Sequence, residues 1–355
     1  MPGVLTYNLE DYQQSCRTYR RDLLRLPILA LQATLQYMTL RTGIRYEEVV
    51  GATAIDVELQ PWKRGIRTSN NLDLGLRALH TYFGALNADF CPNEAISTIM
   101  GHRAAAASGD ALATTPQAHE VIALVPKTIG RKLAGSIFDA KRDPNGTTTK
   151  TLFNGFDTIT DEEIKAGNIA EAKGNYHKLS EPFDDLNASE IAHEILVNMS
   201  PELREQECNL YCSYDFADAY CRAYKLETGG ISYNRSYDQL FVEGSGNRLR
   251  IVPLVGKTGS KYMQVSPKEN MLIGVDQISD AETVNVGCFA PDEFTVMMRM
   301  FFGAQYESID PRRLLVVEIP AASAGGNTPG ADDSGKTPGS DDSAKTPGSD
   351  DSGNP

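Results

Sequence analysis

The sequence predicts an α+β fold, and three of its features indicate this class. Six short apolar runs, separated by turn-forming residues, follow one another between residues 248 and 319, as is typical of β-strands that bury at least one face. Apolar residues recur at three- and four-residue steps between residues 116 and 142, which indicates a long helix. Helical and strand-like stretches are mixed along the rest of the chain. The 355 residues, 41% of them hydrophobic, suffice for a substantial core.

The first 45 residues are predicted to be helical. Apolar residues such as Leu24 and Leu31 fall near helical spacing, and Arg17, Arg20 and Arg21 form a basic patch beside them. An amphipathic segment of this kind is suited to dock on a neighbouring subunit. It is equally suited to pack as an ordinary helix on its own subunit.

Two β segments are predicted next, Thr53 to Leu59 and Ala78 to Phe90. The polar stretch between them contains the only tryptophan, Trp62, followed by Lys63 and Arg64. Tryptophan and arginine are favoured at the centres of protein interfaces because they bury much area and make directed contacts. The three residues are therefore candidate contacts with another subunit. The alternative is a surface hairpin whose tryptophan folds back on its own sheet.

A long helix is predicted from Pro116 to Arg142. Proline suits its first turn, the sequence Asp-Pro-Asn-Gly at 143–146 ends it, and Pro126 is expected to kink it or end its first segment. Two more helices are predicted, from Asn187 to Glu205 and from Asp215 to Leu226.

The predicted strands near the end of the chain precede a tail of different composition. The strand runs read RLRIVPLVG, KYMQVSP, MLIGVDQIS, TVNVGCF, EFTVMMRMFFGAQYES and RRLLVVEIP. From residue 321 a nine-residue unit repeats three times, as TPGADDSGK, TPGSDDSAK and TPGSDDSGN. Because this tail is made mainly of Pro, Gly, Ser and Asp, it cannot bury enough surface to offset the entropy of ordering, and it is predicted to be disordered.

Several segments of this C-terminal region resemble a known family. They are the strand Leu249 to Pro253, the segment Gln264 to Leu272, the Gly274-Val275-Asp276 element, the end of the long strand at Phe302 to Glu307, and the strand Leu314 to Ile319. In their order and local sequence pattern they resemble the major capsid protein of tailed bacteriophages of the Hong Kong 97 type. The likeness spans about residues 45 to 319.

The resemblance implies a Hong Kong 97-type capsid fold with five parts. These are an N-terminal arm (1–45), an extended loop hairpin (46–95), a peripheral domain with a long spine helix (96–182), an axial domain with a mixed sheet and returning peripheral strands (183–320), and a disordered acidic repeat tail (321–355). The implied assembly contacts are Trp62, Lys63 and Arg64 in the loop and Arg17, Arg20 and Arg21 in the arm.

The resemblance also implies a function. The chain would assemble with itself into hexamers and pentamers of an icosahedral phage head that encloses double-stranded DNA. This assembly would take place in the host bacterial cytoplasm. Implied partners are a separate scaffolding protein and a portal. Packaged DNA would line the interior without specific binding, and no membrane would be involved. The net charge of −13 argues against a nucleic-acid-binding role for the chain as a whole, since phosphate binding needs clustered Lys and Arg, and it is compatible with a capsid protein that lines DNA without binding it tightly.

No catalytic, cofactor-binding or metal-binding residues are predicted. Residues 330–337 match the phosphate-loop pattern G-x-x-x-x-G-K-T, but they lie inside the repeat tail. Gly256-Lys257-Thr258 is interpreted as a hairpin turn, and Val197 stands where a zinc-protease helix beginning at His193 needs its second histidine. Two alternatives stay open: a soluble enzyme with an unrecognised site, or another phage structural protein such as a decoration or tail protein.

The six cysteines are predicted to be reduced thiols. The N-terminus lacks the apolar segment of a secretory signal, so an oxidising compartment is not indicated. Cys208, Cys212 and Cys221 invite a zinc interpretation, but no second Cys pair or His pair completes four ligands.

Overall fold

The computed structural model describes most of the chain up to residue 320. The described residues are 13, 16, 17, 23, 26, 27, 31–55, 72–90, 115–227, 240–276, 284–290 and 293–320. The predicted disordered tail lies outside them.

Six helices are labelled here in chain order. They are α1 (Gln32–Leu35), α2 (Thr115–Ser136), α3 (Phe156–Lys165), α4 (Ala188–Asn198), α5 (Pro201–Glu205) and α6 (Tyr214–Glu227). Residues 13, 16, 17, 23, 26 and 27 also have helical backbone, as predicted for the N-terminal segment. No described helix combines the length and the apolar character needed to span a bilayer.

Twelve strands are described, and every one of the six predicted C-terminal runs forms one. The strands are β1 (Thr39–Thr42), β2 (Glu47–Ile55), β3 (Leu72–His80), β4 (Tyr82–Phe90), β5 (Tyr176–Lys178), β6 (Cys208–Cys212), β7 (Leu249–Pro253), β8 (Tyr262–Ser266), β9 (Met271–Val275), β10 (Val284–Ala290), β11 (Glu293–Tyr306) and β12 (Leu315–Glu318). The prediction of a mixed α+β fold is confirmed.

The strands form two five-stranded sheets and one two-stranded ribbon. In the first sheet the order is β1-β9-β11-β10, and β4 pairs with β11 as well. In the second sheet the order is β5-β12-β8-β6-β7. Strands β2 and β3 pair with each other over nine residues and form the ribbon.

The second sheet is covered on both faces. On β6, Cys208, Leu210 and Cys212 pack into a core with helices α4 and α6. Tyr211, which points to the opposite face, packs with Phe138 and with residues of the first sheet. Two layers of apolar packing therefore meet at this sheet, and its strands carry apolar residues on both faces for that reason.

Several predicted elements differ from the structure. Residues 39–42, expected to be helical, form β1, which pairs in parallel with β9. The single segment predicted from Ala78 to Phe90 is two strands, because the chain turns at Thr81 and β4 leaves the ribbon to pair with β11. The helix predicted from Asn187 to Glu205 is two helices, since Pro201 excludes the preceding residue from helical geometry and starts a new helix capped by Ser200.

Helix α2 is shorter than predicted at its C-terminal end, but it continues through Pro126. Its 22 residues span about 33 Å. Beyond Ser136 the chain bends, and the carbonyl groups of Ile137 and Phe138 accept hydrogen bonds from the N–H groups of Phe156 and Asp157 at the start of α3. Helix α3 thus satisfies the backbone where α2 ends.

Gly303 allows the corner between β3 and β4 to cross β11. A Cβ atom at this position would lie 2.0 Å from the carbonyl oxygen of His80. We expect Gly303→Ala to lower the free energy of unfolding by about 1–3 kcal/mol through overpacking. Gly287→Ala on β10 is the matched control, because its Cβ would meet nothing nearer than the Met297 methyl at 3.5 Å. Equal thermal unfolding midpoints for the two variants would contradict the account.

Candidate self-assembly surfaces

The β2–β3 ribbon is attached to the rest of the fold at its base. Its nine residue pairs make it about 30 Å long. Val50 and Leu79 on one face are buried against Ile44 and Leu272. An isolated two-stranded ribbon is marginally stable in water, so this anchored base is what the subunit itself contributes to holding it.

The opposite face of the ribbon carries an apolar, exposed region next to the polar pair Glu47 and His80. Val49 lies opposite Ala78, and Gly51 lies opposite Leu76, so these four residues share one face. The side chains of Val49 and Leu76 are 62% and 65% exposed. Apolar side chains grouped on an exposed surface mark a site of protein contact. We call these four residues the ribbon face.

Polar contacts fix the direction in which the ribbon leaves the subunit. The guanidinium of Arg77 donates to Glu163 on α3 at 2.5 Å and to the side-chain oxygen of Gln305 on β11 at 3.3 Å. The amide nitrogen of Gln305 donates in turn to the carbonyl of Ala78 at 3.1 Å. Both charged side chains are largely buried, which strengthens the ion pair relative to a surface pair.

Aromatic residues extend the apolar surface near the ribbon base. The ring centroid of Phe301 lies 5.2 Å from that of Tyr46 and 5.1 Å from that of Phe83. Tyr46 is 71% exposed and Phe83 is half exposed. Tyr46 also has a positive φ of 72°, a conformation that costs free energy for a non-glycine residue and is held here by the surrounding contacts.

A groove of about 920 Å³ runs along helix α2. Leu86 and Ala88 of β4 form one wall, and Leu124, Val125 and Ile129 of α2 form the other. Leu124 is 45% exposed. The groove is therefore a second apolar surface, made by elements other than those that carry the ribbon face.

A buried ion pair connects helix α3 to the segment between β7 and β8. The Nζ atom of Lys257 donates to Asp157 Oδ1 at 2.6 Å and to the carbonyl of Tyr262 at 3.0 Å. Ser260 and Gln264 also donate to the Asp157 carboxylate, at 2.6 and 2.7 Å. The Lys257 side chain has no exposed surface.

The environment of Lys257 acts on its pKa in two opposing ways. Burial lowers the pKa of the amine, and the nearby Asp157 carboxylate raises it in part, so the net direction is downward. The amine also lies 4.3 Å from the centre of the Phe138 ring. Lys257 belongs to a 3₁₀ turn, Val255–Lys257. The predicted hairpin turn is wrong, because β7 and β8 do not pair with each other and β6 lies between them in the sheet.

The residues predicted as assembly contacts are not brought together by the described structure. Arg17 lies on helical backbone and is exposed. Arg20, Arg21, Trp62, Lys63 and Arg64 lie outside the described residues. Sequence reasoning missed the ribbon face, because residues 47–51 read Glu-Glu-Val-Val-Gly and show no alternation that separates an exposed side of the strand from a buried one.

Groups that can take part in catalysis are dispersed over the described structure. His177 Nε2 lies 2.8 Å from Glu194 Oε1 on the surface, with Asn198 beside it at 3.4 Å. Within the described ranges, no three His, Cys, Asp or Glu side chains are placed to hold a metal ion. Burial raises the pKa of Cys16 to about 11 and that of Cys208 to about 12, which keeps both thiols protonated.

Comparison with known proteins gives matches at the level of three-dimensional structure. The capsid of an empty GTA particle is similar with a TM-score of 0.50 and 11% identity, over 90% of this chain and 93% of that chain. The capsid subunit of cyanophage A-1(L) is similar with a TM-score of 0.50 and 11% identity, over 83% and 93% of the two chains. No protein-family model matches the chain, and no curated protein matches its sequence. The predicted resemblance is thus confirmed at the level of the fold: this chain has the fold of a phage capsid protein.

Proposed function

We propose that this protein is a major capsid protein that assembles with itself into the hexamers and pentamers of an icosahedral phage head around double-stranded DNA. The ribbon face is the observation that carries the proposal, because Val49 and Leu76 are exposed on a two-stranded ribbon whose other face is buried at its base by Val50 and Leu79. The capsid fold, shared over most of the chain, supports the same role.

The geometry suits a shell because the two apolar surfaces are different. When one surface of a subunit binds a different surface of the next, the contact repeats head to tail, and it gives a ring where the rotation between subunits closes. Each contact of this kind can be modest, since a subunit in a closed shell makes several at once and gains stability from multivalency. The predicted contacts in the loop, Trp62, Lys63 and Arg64, and in the arm, Arg17, Arg20 and Arg21, would add to the ribbon face.

The remaining parts of the proposal concern location and partners. The protein would be part of the virion and would assemble in the cytoplasm of the bacterial host, with a separate scaffolding protein and a portal. Its parts would follow the capsid pattern: arm, extended loop, peripheral domain with α2 as spine helix, axial domain and acidic tail. Its role would be structural rather than enzymatic.

Sedimentation velocity over a range of concentrations tests the proposal. We expect the purified full-length chain to populate pentamers, hexamers or much larger closed particles as its concentration rises. A small discrete oligomer that stays unchanged at high concentration would contradict it. The number of copies in a purified virion separates a shell subunit, present in hundreds of copies, from a decoration or tail protein.

A further inference from the structure

A second cavity, of about 650 Å³, borders helix α2. The α2 residues that line it differ from those that line the 920 Å³ groove. Much of the lining of this second cavity comes from three parts of the chain. They are the segment in and after α1 (Ala33 and Tyr37), helix α2 (Ala134), and strand β7 with the residues after it (Ile251 and Leu254). Among the residues that the structure describes, no aspartate or glutamate lines the cavity. We call this cavity the basic cleft because of the cations described next.

Two arginines from different elements line the basic cleft. Arg131 comes from α2 and Arg250 from β7. Lys127 precedes Arg131 by one helical turn, so both lie on one side of α2, and both are exposed. None of the three forms an ion pair with another described residue, whereas Arg45, Arg77 and Arg222 do.

This concentration of positive charge is local. The chain as a whole carries a net charge of −13. Tyr214 lines the basic cleft. The next residue, Asp215, lines a separate cavity together with Asp184 and Asp218. A concave site whose described lining carries cations and no carboxylate attracts anions even on an acidic protein.

Two tyrosines give the cleft flat aromatic surfaces. The Arg250 guanidinium lies 4.9 Å from the centre of the Tyr37 ring. The hydroxyl of the fully buried Tyr211 donates to the carbonyl of Tyr37 at 2.5 Å, which fixes the backbone there. Tyr214 lines the cleft and is 50% exposed.

We propose that the basic cleft binds a single strand of nucleic acid, with phosphates against Arg131, Arg250 and Lys127 and a base stacked on Tyr214. Cations that track the phosphates together with an aromatic platform for bases are what sequence-independent single-strand binding requires. A simple phosphate site would need the cations alone, so the tyrosines favour a strand. The inference goes beyond the proposed function, in which packaged DNA makes no specific contact, and it does not depend on shell formation.

Fluorescence anisotropy with a labelled single-stranded oligonucleotide tests the inference. It is measured on the full-length chain, at a concentration where light scattering detects no particles, over a series of salt concentrations. We expect the double variant Arg131→Gln/Arg250→Gln to bind at least about tenfold more weakly at low salt. The slope of log K against log salt should become shallower by about 1.4, since each phosphate contact on a single strand contributes about 0.7. Tyr214→Ser should weaken binding without changing the slope, because stacking releases no counterions.

A charge-matched control makes the result specific. Arg204→Gln/Arg299→Gln removes the same charge from two exposed arginines on α5 and β11, outside the cleft, and should leave binding unchanged. Equal losses in the two double variants would reduce the effect to non-specific attraction and overturn the proposal. It would also be overturned if the unmodified chain did not bind at low salt, or if it bound duplex DNA as tightly as a single strand.

Discussion

Lys257→Met is expected to destabilise the folded subunit by about 3–5 kcal/mol, the range measured when one partner of a buried ion pair is removed. Methionine fills a similar volume, so packing around Phe138 is largely kept. The Asp157 carboxylate, however, would stay in a site that is 14% exposed with its closest cation gone. The midpoint of urea unfolding, followed by circular dichroism on the unassembled subunit, measures the loss.

A closely matched control pair lies four residues after each partner in the sequence. Lys261 pairs with Asp161 at 2.9 Å, but the lysine side chain is 56% exposed. Removing a solvated pair costs about 0–1 kcal/mol, so Lys261→Met should shift the midpoint little. Comparable losses for Lys257→Met and Lys261→Met would contradict the assigned role of burial. The double variant Lys257→Met/Asp157→Leu should recover part of the stability, because no buried charge is left unpaired.

Leu76→Glu is expected to abolish assembly while leaving the subunit folded. Leu76 is 65% exposed in the subunit, so a charged residue there is solvated and should change the unfolding midpoint by less than about 0.5 kcal/mol. In an assembled contact the same carboxylate would be buried in an apolar interface without a partner, which costs several kcal/mol per contact. Because each contact repeats throughout a shell, we expect no particles at concentrations where the unmodified chain assembles fully.

Val197→Glu serves as the control for that experiment. Val197 is 57% exposed on α4, a helix that carries neither the ribbon face nor the groove. The variant adds the same charge at a similar exposure, and it should assemble as the unmodified chain does. If Leu76→Glu assembled normally, the ribbon face would not be an interface. If both variants failed, the effect would come from added charge rather than from the ribbon.

The elements that sequence reasoning predicted well are those whose signal is local. Each run between residues 248 and 319 combines apolar, β-branched or aromatic residues with flanking turn residues, and the apolar spacing of α2 extends over most of its length. The boundaries of the helices and strands depend instead on contacts between residues that are far apart in the sequence. The break at Thr81 follows from the pairing of β4 with β11, more than 200 residues away in sequence, and no feature of residues 78–90 encodes that partner.

The candidate surfaces were less predictable for the same reason. Lys257 lies 100 residues from Asp157 in sequence, so its burial depends on how α3 packs against the β7–β8 segment. Val49 and Val50 are adjacent valines with different environments: Val50 is buried with Leu272 in the core, whereas Val49 is exposed to solvent. Composition alone treats the two residues alike. The basic residues that sequence analysis singled out were found by charge, whereas the ribbon face is recognised only once strand register and burial are known.

Electron cryomicroscopy of the purified, unmodified protein tests the central claim most directly. We expect closed particles built of rings of five and six subunits, in which the ribbon of each subunit lies on a neighbour with Val49 and Leu76 buried between them. Particles of another architecture with Val49 and Leu76 exposed, or a protein that stays monomeric at high concentration, would contradict it.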